Sequence, residues 1–117
     1  MTIDAFQAHV RHLPDRAIID LSGEINATAE NGMIAAYTEA ESQNPSTVDL
    51  NFTNVQYINS TGIALIVGLL ARARKAHRRL VVFGLSDHYL EIFHITRLAD
   101  FMTIYPDEAA AFSAEAK

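Results

Sequence analysis

Short apolar segments alternate with longer segments of helical periodicity along this chain, and this alternation constrains its fold more than any other feature. Residues 17–22 form an apolar run that ends at Gly23, and residues 80–83 form another that ends at Gly84. Such short runs predict strands, and an unbroken apolar run is typical of a strand buried on both faces. We predict strands at residues 4–12, 17–22, 48–52, 80–83 and 101–104.

The intervening segments show the spacing of helices. Met33, Ile34, Tyr37 and the pair Ala40/Glu41 recur at helical intervals, which predicts that this stripe faces the core. The next helical segment is apolar nearly all round in its first half, which predicts a helix buried against a sheet. Pro106, followed by two acidic residues, predicts the first position of a last helix. We predict helices at residues 27–42, 61–77, 86–93 and from 106 onward.

The resulting order, β-β-α-β-α-β-α-β-α, predicts the α/β fold class. Strands joined through helices run parallel by right-handed crossovers, and a turn at Pro14 and Asp15 adds an antiparallel strand at one edge. We therefore expect a mixed, mostly parallel sheet of about five strands packed with about four helices. The length of 117 residues is typical of one domain, so we expect residues 1–117 to form a single domain.

The composition excludes several classes of protein. The chain has no cysteine, which excludes disulfides, thiolate metal sites and a cysteine nucleophile. A net charge of −5 argues against nucleic-acid and anionic-membrane partners. The longest apolar run is far shorter than the roughly 20 residues that span a membrane, and the N-terminus shows no signal sequence. We expect a cytoplasmic protein and, since no exposed apolar seam is evident, a monomer.

Three loops that follow predicted strands are candidate sites, because ligands gather at strand C-terminal ends in open α/β sheets. They are residues 23–26, 57–62 and 84–87. In the middle loop, Ser60 and Thr61 precede Gly62 and the longest predicted helix, so either hydroxyl could cap that helix. Alternatively, Ser60 is a phosphorylation site, because a helix N-terminus stabilises an anion and a phosphate adds nearly two negative charges.

Catalytic and metal-binding interpretations have little support. Ser60 lies in no Gly-x-Ser-x-Gly motif, and no phosphate-binding loop follows Gly62. The five histidines include no pair at i,i+4 spacing, and His88 and His94, with Glu91 between them, form only a weak candidate for a metal site. We therefore expect no catalytic residue, no metal ion and no cofactor.

Residues 72–79 contain five of the nine basic side chains. Cations at the end of a helix offset its dipole and remain solvated, which is the simplest interpretation. A nucleic-acid patch is opposed by the net negative charge of the chain. A third interpretation is ionic contact with an acidic protein partner, which would act on the association rate more than on affinity.

The loop containing Asn59, Ser60, Thr61 and Gly62 resembles the Asp-Ser-[Ser/Thr]-Gly phosphorylation loop of STAS domains, specifically of the stand-alone bacterial anti-sigma factor antagonists. Residues 21–26 are similar to the Gly-Glu-[Leu/Ile]-Asp segment of that family. Residues 80–85 and 93–98 are similar to its later strand and the short helix after it. The resemblance spans roughly residues 18–111.

The resemblance implies a regulatory binding module that is not an enzyme and that acts by partner switching. The unphosphorylated antagonist binds an anti-sigma factor that is also a serine kinase, phosphorylation releases it, and a serine phosphatase reverses the modification. It implies Ser60 as the acceptor, with Thr61 as the second candidate. Gly23, Glu24, Asn26, Asn59, Ser60, Thr61 and Gly62 would form the partner-binding region.

Asn59 and Asn26 stand where the family has aspartates. Each substitution keeps the capacity for hydrogen bonding and removes a negative charge. The loss of charge near the acceptor either makes a phosphoserine easier to hold or weakens recognition by the kinase. An alternative is a STAS scaffold or adaptor, stressosome-like or part of a phospholipid transporter, without reversible phosphorylation. An unrelated small α/β enzyme or nucleotide-binding domain is a third possibility, opposed by the absence of any paired acid/base residues.

Overall fold

The computed structural model describes residues 4–115 and contains, in this range, five strands and four α-helices in the predicted order. The strands are β1 (Gln7–Leu13), β2 (Arg16–Ile25), β3 (Thr47–Ile58), β4 (Arg79–Phe83) and β5 (Thr103–Tyr105). The helices are α1 (Glu30–Glu41), α2 (Ser60–Lys75), α3 (Asp87–Ile95) and α4 (Glu108–Glu115). Two short 3₁₀ turns lie at Ala27–Ala29 and Leu98–Asp100.

The strands form one sheet in which spatial order follows sequence order, β1-β2-β3-β4-β5. β1 pairs antiparallel with β2 through a two-residue turn at Pro14 and Asp15, where Asp15 adopts a left-handed φ of 59°. The remaining pairs are parallel. The expectation of a mixed, mostly parallel α/β sheet is therefore confirmed.

The two faces of the sheet are covered unequally. Alternate residues of the strands, such as Ile19, Leu50 and Val82, pack in one large core with the buried sides of α1, α2 and α3. Ile18, Val81 and Phe83 point the other way and pack with α4. The predicted burial of β4 on both faces is confirmed, since residues 80–83 are all buried.

On the α4 face, β3 contributes one member of a buried ion pair. The Asp49 side chain is fully buried, and it accepts hydrogen bonds from Arg16 at 2.5 and 3.1 Å. The Arg16 guanidinium lies 4.6 Å from the centre of the Phe112 ring. A buried carboxylate requires such a partner, and α4 covers the pair.

β2 and β3 are several residues longer than predicted, because they continue to pair with each other beyond two irregularities in register. β2 does not close at Gly23 but continues to Ile25, and β3 continues past residue 52 to Ile58. The register shifts between Asp20 and Ser22 and again between Gly23 and Glu24, so the ladder resumes after each irregularity. Residues 23–25 and 57–58, predicted as loop, are therefore strand.

Predictions about the burial of two helices and about the starts of β5 and α4 also need correction. Ile34 was expected in the core stripe but is 45% exposed, whereas Ala36 is buried. α2 is not buried all round, since Val67 is 42% exposed. β5 begins at Thr103 rather than at residue 101. α4 begins at Glu108 rather than at Pro106, because the Asp107 carboxylate accepts a hydrogen bond from the Ala110 N–H at 2.8 Å and so precedes the helix.

Candidate functional site

Asn59, not Ser60 or Thr61, caps the N-terminus of α2. Its backbone is extended, and its Oδ1 accepts a hydrogen bond from the Gly62 N–H at 2.8 Å. Asparagine is as effective an N-cap as serine, and Asn59 stands one position earlier, directly before the first helical residue. The prediction that a hydroxyl performs the capping is therefore wrong.

This arrangement leaves the Ser60 hydroxyl unused. Ser60 is the first residue of α2 and is exposed, and its side chain makes no hydrogen bond with any other residue in the range 4–115. Thr61 is likewise exposed and unbonded among these residues. The first N–H groups of a helix lack partners within the helix and carry its positive dipole end, so an anion on Ser60 would be favoured there.

Gly62 fixes the first turn of α2 against the ends of β2 and β3. A Cβ at this position would lie 2.2 Å from the Ile25 carbonyl oxygen and 2.9 Å from Ile58 Cγ2, so no other side chain fits without movement of the backbone. The Asn59 N–H also donates to the Ile25 carbonyl at 3.2 Å. Ser60 is therefore held in place by backbone contacts rather than by its own side chain.

The candidate site residues at the end of β2 make hydrogen bonds and close backbone contacts within the fold. Asn26 Oδ1 accepts hydrogen bonds from the N–H and the hydroxyl of Thr28, at 2.9 and 2.6 Å, and so caps the following 3₁₀ turn. Gly23 has a φ of 82°, and a Cβ there would lie 2.4 Å from the Ala5 carbonyl oxygen. The Glu24 N–H donates to the Asp4 carbonyl at 3.1 Å.

The structure thus places the seven predicted residues in two groups. Asn59, Ser60, Thr61 and Gly62 form one continuous turn at the start of α2. Gly23, Glu24 and Asn26 lie on or directly after the last part of β2, whose register pairs Glu24 with Tyr57 and Ile25 with Ile58. The Ile25 carbonyl joins the two groups.

Tyr89 is a residue of this region that the sequence does not reveal. Its buried hydroxyl accepts a hydrogen bond from the Ile58 N–H at 2.8 Å, across 31 residues of chain. β4 pairs with β3 only as far as Asn51, so it offers Ile58 no partner, and Tyr89 from α3 takes that place. Because the contact depends on where two strands end, no local sequence signal could have identified it.

The outer side of α2 continues the exposed surface that begins at Ser60. We call Ala64, Val67, Gly68 and Ala71 the α2 stripe, because all four are exposed and recur at helical spacing. Tyr57, just before the turn, is 44% exposed. A Cβ at Gly68 would meet no atom of residues 4–115 within 4 Å, so packing among these residues does not require a glycine here.

Charge is sparse around this surface. Residues 57–65 contain no charged side chain, and Glu24 is the single one in residues 23–26. A phosphate on Ser60 would therefore add nearly two negative charges to a segment that otherwise carries none. Among residues 4–115, no group of three or more His, Asp or Glu side chains is arranged to hold a metal ion. No helix within the same range is long and apolar enough to cross a membrane.

Known proteins match most of this chain in sequence. A family model described as STAS domain matches residues 7–111. The anti-sigma-B factor antagonist of Listeria monocytogenes serovar 1/2a is 32% identical over 90 residues, which cover 77% of this chain and 79% of that protein.

Two solved structures share the fold at low sequence identity. The anti-sigma factor antagonist from Mycobacterium paratuberculosis superposes with a TM-score of 0.82 at 17% identity, covering 97% of this chain and 96% of that one. The Bacillus cell fate determinant SpoIIAA in its phosphorylated form superposes with a TM-score of 0.69 at 22% identity, covering 94% and 99%.

Proposed function

Because this chain belongs to the STAS domain family, we propose that it is an anti-sigma factor antagonist that acts by partner switching. In its unphosphorylated form it binds an anti-sigma factor with serine kinase activity, which frees a sigma factor and so regulates transcription. Phosphorylation of Ser60 ends that complex, and a serine phosphatase restores it. The chain acts as a single regulatory domain and contributes no catalytic residue of its own.

The accessible hydroxyl of Ser60 is the observation that carries this proposal. A kinase must reach the acceptor oxygen, and the Ser60 side chain is exposed and unbonded among the described residues. Because Asn59 provides the cap, modification of Ser60 would not remove the hydrogen bond that begins α2. Phosphate can therefore be added and removed without unfolding the helix.

The α2 stripe explains how one phosphate could end a complex. A partner that covers exposed Tyr57 and the stripe would also cover Ser60, because all lie on the surface of one turn and one helix. A dianionic group at the edge of an apolar contact would have to be stripped of water, at a large cost in free energy. The unmodified hydroxyl carries no such cost.

Asn59 bears on the stability of the modified form. It contributes its amide oxygen to the cap as an aspartate would, but it places no negative charge beside Ser60. A phosphate on Ser60 would then face the positive end of the α2 dipole without repulsion from the preceding side chain. We infer that the substitution favours a long-lived phosphoserine.

Phosphorylation by the cognate anti-sigma factor kinase, followed by intact-mass spectrometry, tests the assignment of Ser60. We expect the wild-type chain and Thr61→Ala to gain one phosphate, and Ser60→Ala to gain none. Thr61→Ala is the matched control, because Thr61 is the adjacent hydroxyl and is also exposed. A phosphate on Ser60→Ala would move the acceptor elsewhere.

Binding to the same anti-sigma factor tests the switch. Ser60→Ala should bind as the wild type does, whereas Ser60→Asp should bind at least about tenfold more weakly, which corresponds to roughly 1.4 kcal/mol. Isothermal titration calorimetry measures both. Co-purification with a transporter ATPase instead of a kinase, and no binding of the anti-sigma factor in either form, would favour the adaptor alternative.

A further inference from the structure

We propose that the C-terminal end of α2 carries a second interaction surface, which binds an acidic segment of a protein partner. The site is a groove of about 290 Å³ between the end of α2 and the 3₁₀ turn that precedes β5. Arg74 and Phe101 lie at its mouth, and buried Leu70 and Met102 contribute apolar surface to it. The proposal does not depend on phosphorylation of Ser60.

The charge of this region is opposite to that of the chain as a whole. Residues 72–79 contain five basic and no acidic side chains, whereas the net charge of the protein is −5. A positive patch on an acidic protein attracts the negative part of a partner and orients it during the encounter. The patch is therefore suited to a partner that is itself locally acidic.

Three of the five basic side chains are engaged in holding the fold together. Arg72 and Arg78 both approach Glu41 of α1, at 2.6 and 3.6 Å. Arg79 donates to the Thr103 hydroxyl at 3.2 Å and so joins β4 to β5. These contacts correct the interpretation of the segment as a simple solvated helix end, since Arg78 and Arg79 lie beyond α2.

The other two are available to a partner. Arg74 is exposed, and its side chain forms no hydrogen bond or ion pair within the described part of the chain; its guanidinium carbon lies 5.3 Å from the centre of the Phe101 ring. Lys75 is exposed and forms no ion pair with any residue from 4 to 115. Arg74 lines the groove, so its guanidinium can donate hydrogen bonds to a carboxylate of a bound segment, and Lys75, the next residue of the helix, adds positive charge nearby.

Phe101 adds an exposed apolar side chain to the positive charge of the groove. It is 52% exposed, so about half of its side chain is accessible to a partner. Hydrogen bonds hold the backbone around it. The Phe101 N–H donates to the Leu98 carbonyl at 3.1 Å, and the side chain of the preceding Asp100 forms an ion pair with Arg97 at 2.6 Å. An exposed aromatic ring in contact with the Arg74 guanidinium fits a segment in which acidic residues flank an apolar side chain.

The groove and Ser60 lie at opposite ends of the same helix. The 16 residues of α2 place its first and last residues about 22 Å apart. The two surfaces can therefore be tested independently. A nucleic acid is a poorer match, because two free cations on an acidic protein neutralise few phosphates and binding to a phosphate backbone depends on many.

Fluorescence anisotropy with a fluorescein-labelled peptide of Asp and Glu residues around one central Phe tests the proposal on the full chain. We expect binding that weakens with added salt, and about fivefold weaker binding by Arg74→Gln. Phe101→Ser should weaken binding of this peptide but not of the same peptide with Ala in place of Phe. Ser60→Asp should bind the peptide as the wild type does. This variant therefore distinguishes failure of the present proposal from failure of the proposal that Ser60 is phosphorylated.

Ala35→Glu is the matched control. It makes the same change in net charge as Arg74→Gln at an exposed position of α1, and it should leave peptide binding unchanged. Equal weakening by both variants would show that the peptide senses net charge alone and would overturn the proposal. No binding at low ionic strength, or tighter binding of a labelled single-stranded DNA than of the peptide, would overturn it as well. Circular dichroism of each variant confirms that it is folded.

Discussion

Adjacent residues at the start of α2 have separate tasks. Asn59 begins the helix through its hydrogen bond to the Gly62 N–H, and Ser60 presents its hydroxyl to solvent. If Ser60 itself formed the cap, its oxygen would be engaged in a hydrogen bond worth about 1 kcal/mol to the helix, which a kinase would have to displace to reach the acceptor. The division between the two residues leaves the proposed switch without that cost.

The sequence revealed the composition of this turn but not the role of each member. Ser, Thr and Asn are all good N-caps, so capping propensity alone does not decide which one acts. The decision comes from tertiary contacts, because Gly62 must lie against the Ile25 carbonyl for the turn to fit the sheet. That contact joins residues that are 37 positions apart and leaves no local signal.

Two glycines of α2 should respond oppositely to the same substitution. Gly62→Ala places a methyl group 2.2 Å from the Ile25 carbonyl oxygen and should lower the free energy of unfolding by about 3 kcal/mol. Gly68→Ala meets open space and should raise it by about 0.5–1 kcal/mol, because alanine loses less backbone entropy in a helix. Urea denaturation measures both, and equal effects would contradict the packing described for the turn.

At the scale of elements, two buried tyrosines show how differently a hydroxyl group can contribute to the stability of the fold. The Tyr89 hydroxyl joins α3 to the end of β3 by accepting from the Ile58 N–H at 2.8 Å. The Tyr37 hydroxyl in α1 is buried without a hydrogen-bond partner among the described residues. The pKa of Tyr37 is raised to about 12, mainly by burial of the hydroxyl and secondly by the negative charge of nearby Glu41.

Replacement of each tyrosine by phenylalanine should separate these roles. Tyr89→Phe leaves the Ile58 N–H buried without its partner and should cost about 1–3 kcal/mol. Tyr37→Phe removes an unsatisfied polar atom and should leave stability unchanged or raise it by up to about 1 kcal/mol. Thermal and urea unfolding of the pair would reveal the difference, and destabilisation by Tyr37→Phe as large as that by Tyr89→Phe would refute it.

Periodicity predicted which elements exist better than it predicted where they end. The order of strands and helices followed from the apolar segments, because each buries one face or two against its neighbours. The extension of β3 to Ile58 did not follow, since its last residues are largely exposed and pair with β2 through an irregular register. The burial of Asp49 did not follow from the sequence either, because it depends on an ion pair with Arg16, which lies 33 residues earlier in the chain.

At the scale of the whole molecule, one polar network joins three strands to α4. Arg11 of β1 donates to both carboxylate oxygens of Asp20 at 2.7 and 2.8 Å and to Glu108 of α4 at 2.5 Å. Asn51 of β3 also donates to Asp20 at 2.8 Å. Partial burial acts to raise the pKa of Asp20, but the hydrogen bonds from Arg11 and Asn51 and the charge of Arg11 outweigh it and lower this pKa below 3.8.

The sign of that shift predicts acid sensitivity. A carboxyl group with a lowered pKa in the folded protein stabilises it above the pKa of the unfolded chain, near 3.9, and loses that effect as the pH falls through the folded value. Asp20→Asn should therefore be less stable than the wild type at pH 7, by about 1–2 kcal/mol. The difference should shrink progressively below about pH 4. Urea titrations at neutral and acidic pH measure this, and a difference independent of pH would exclude Asp20 as the titrating group.

The agreement between sheet order and chain order has a consequence for synthesis on the ribosome. Each strand pairs with the one that left the exit tunnel just before it, so the sheet can grow at a single open edge as translation proceeds. No later strand has to be inserted between two that are already paired, and each closure spans only the helix just made. The nascent chain would then present, at every stage, a continuous sheet to which the next strand adds beside the strand made last.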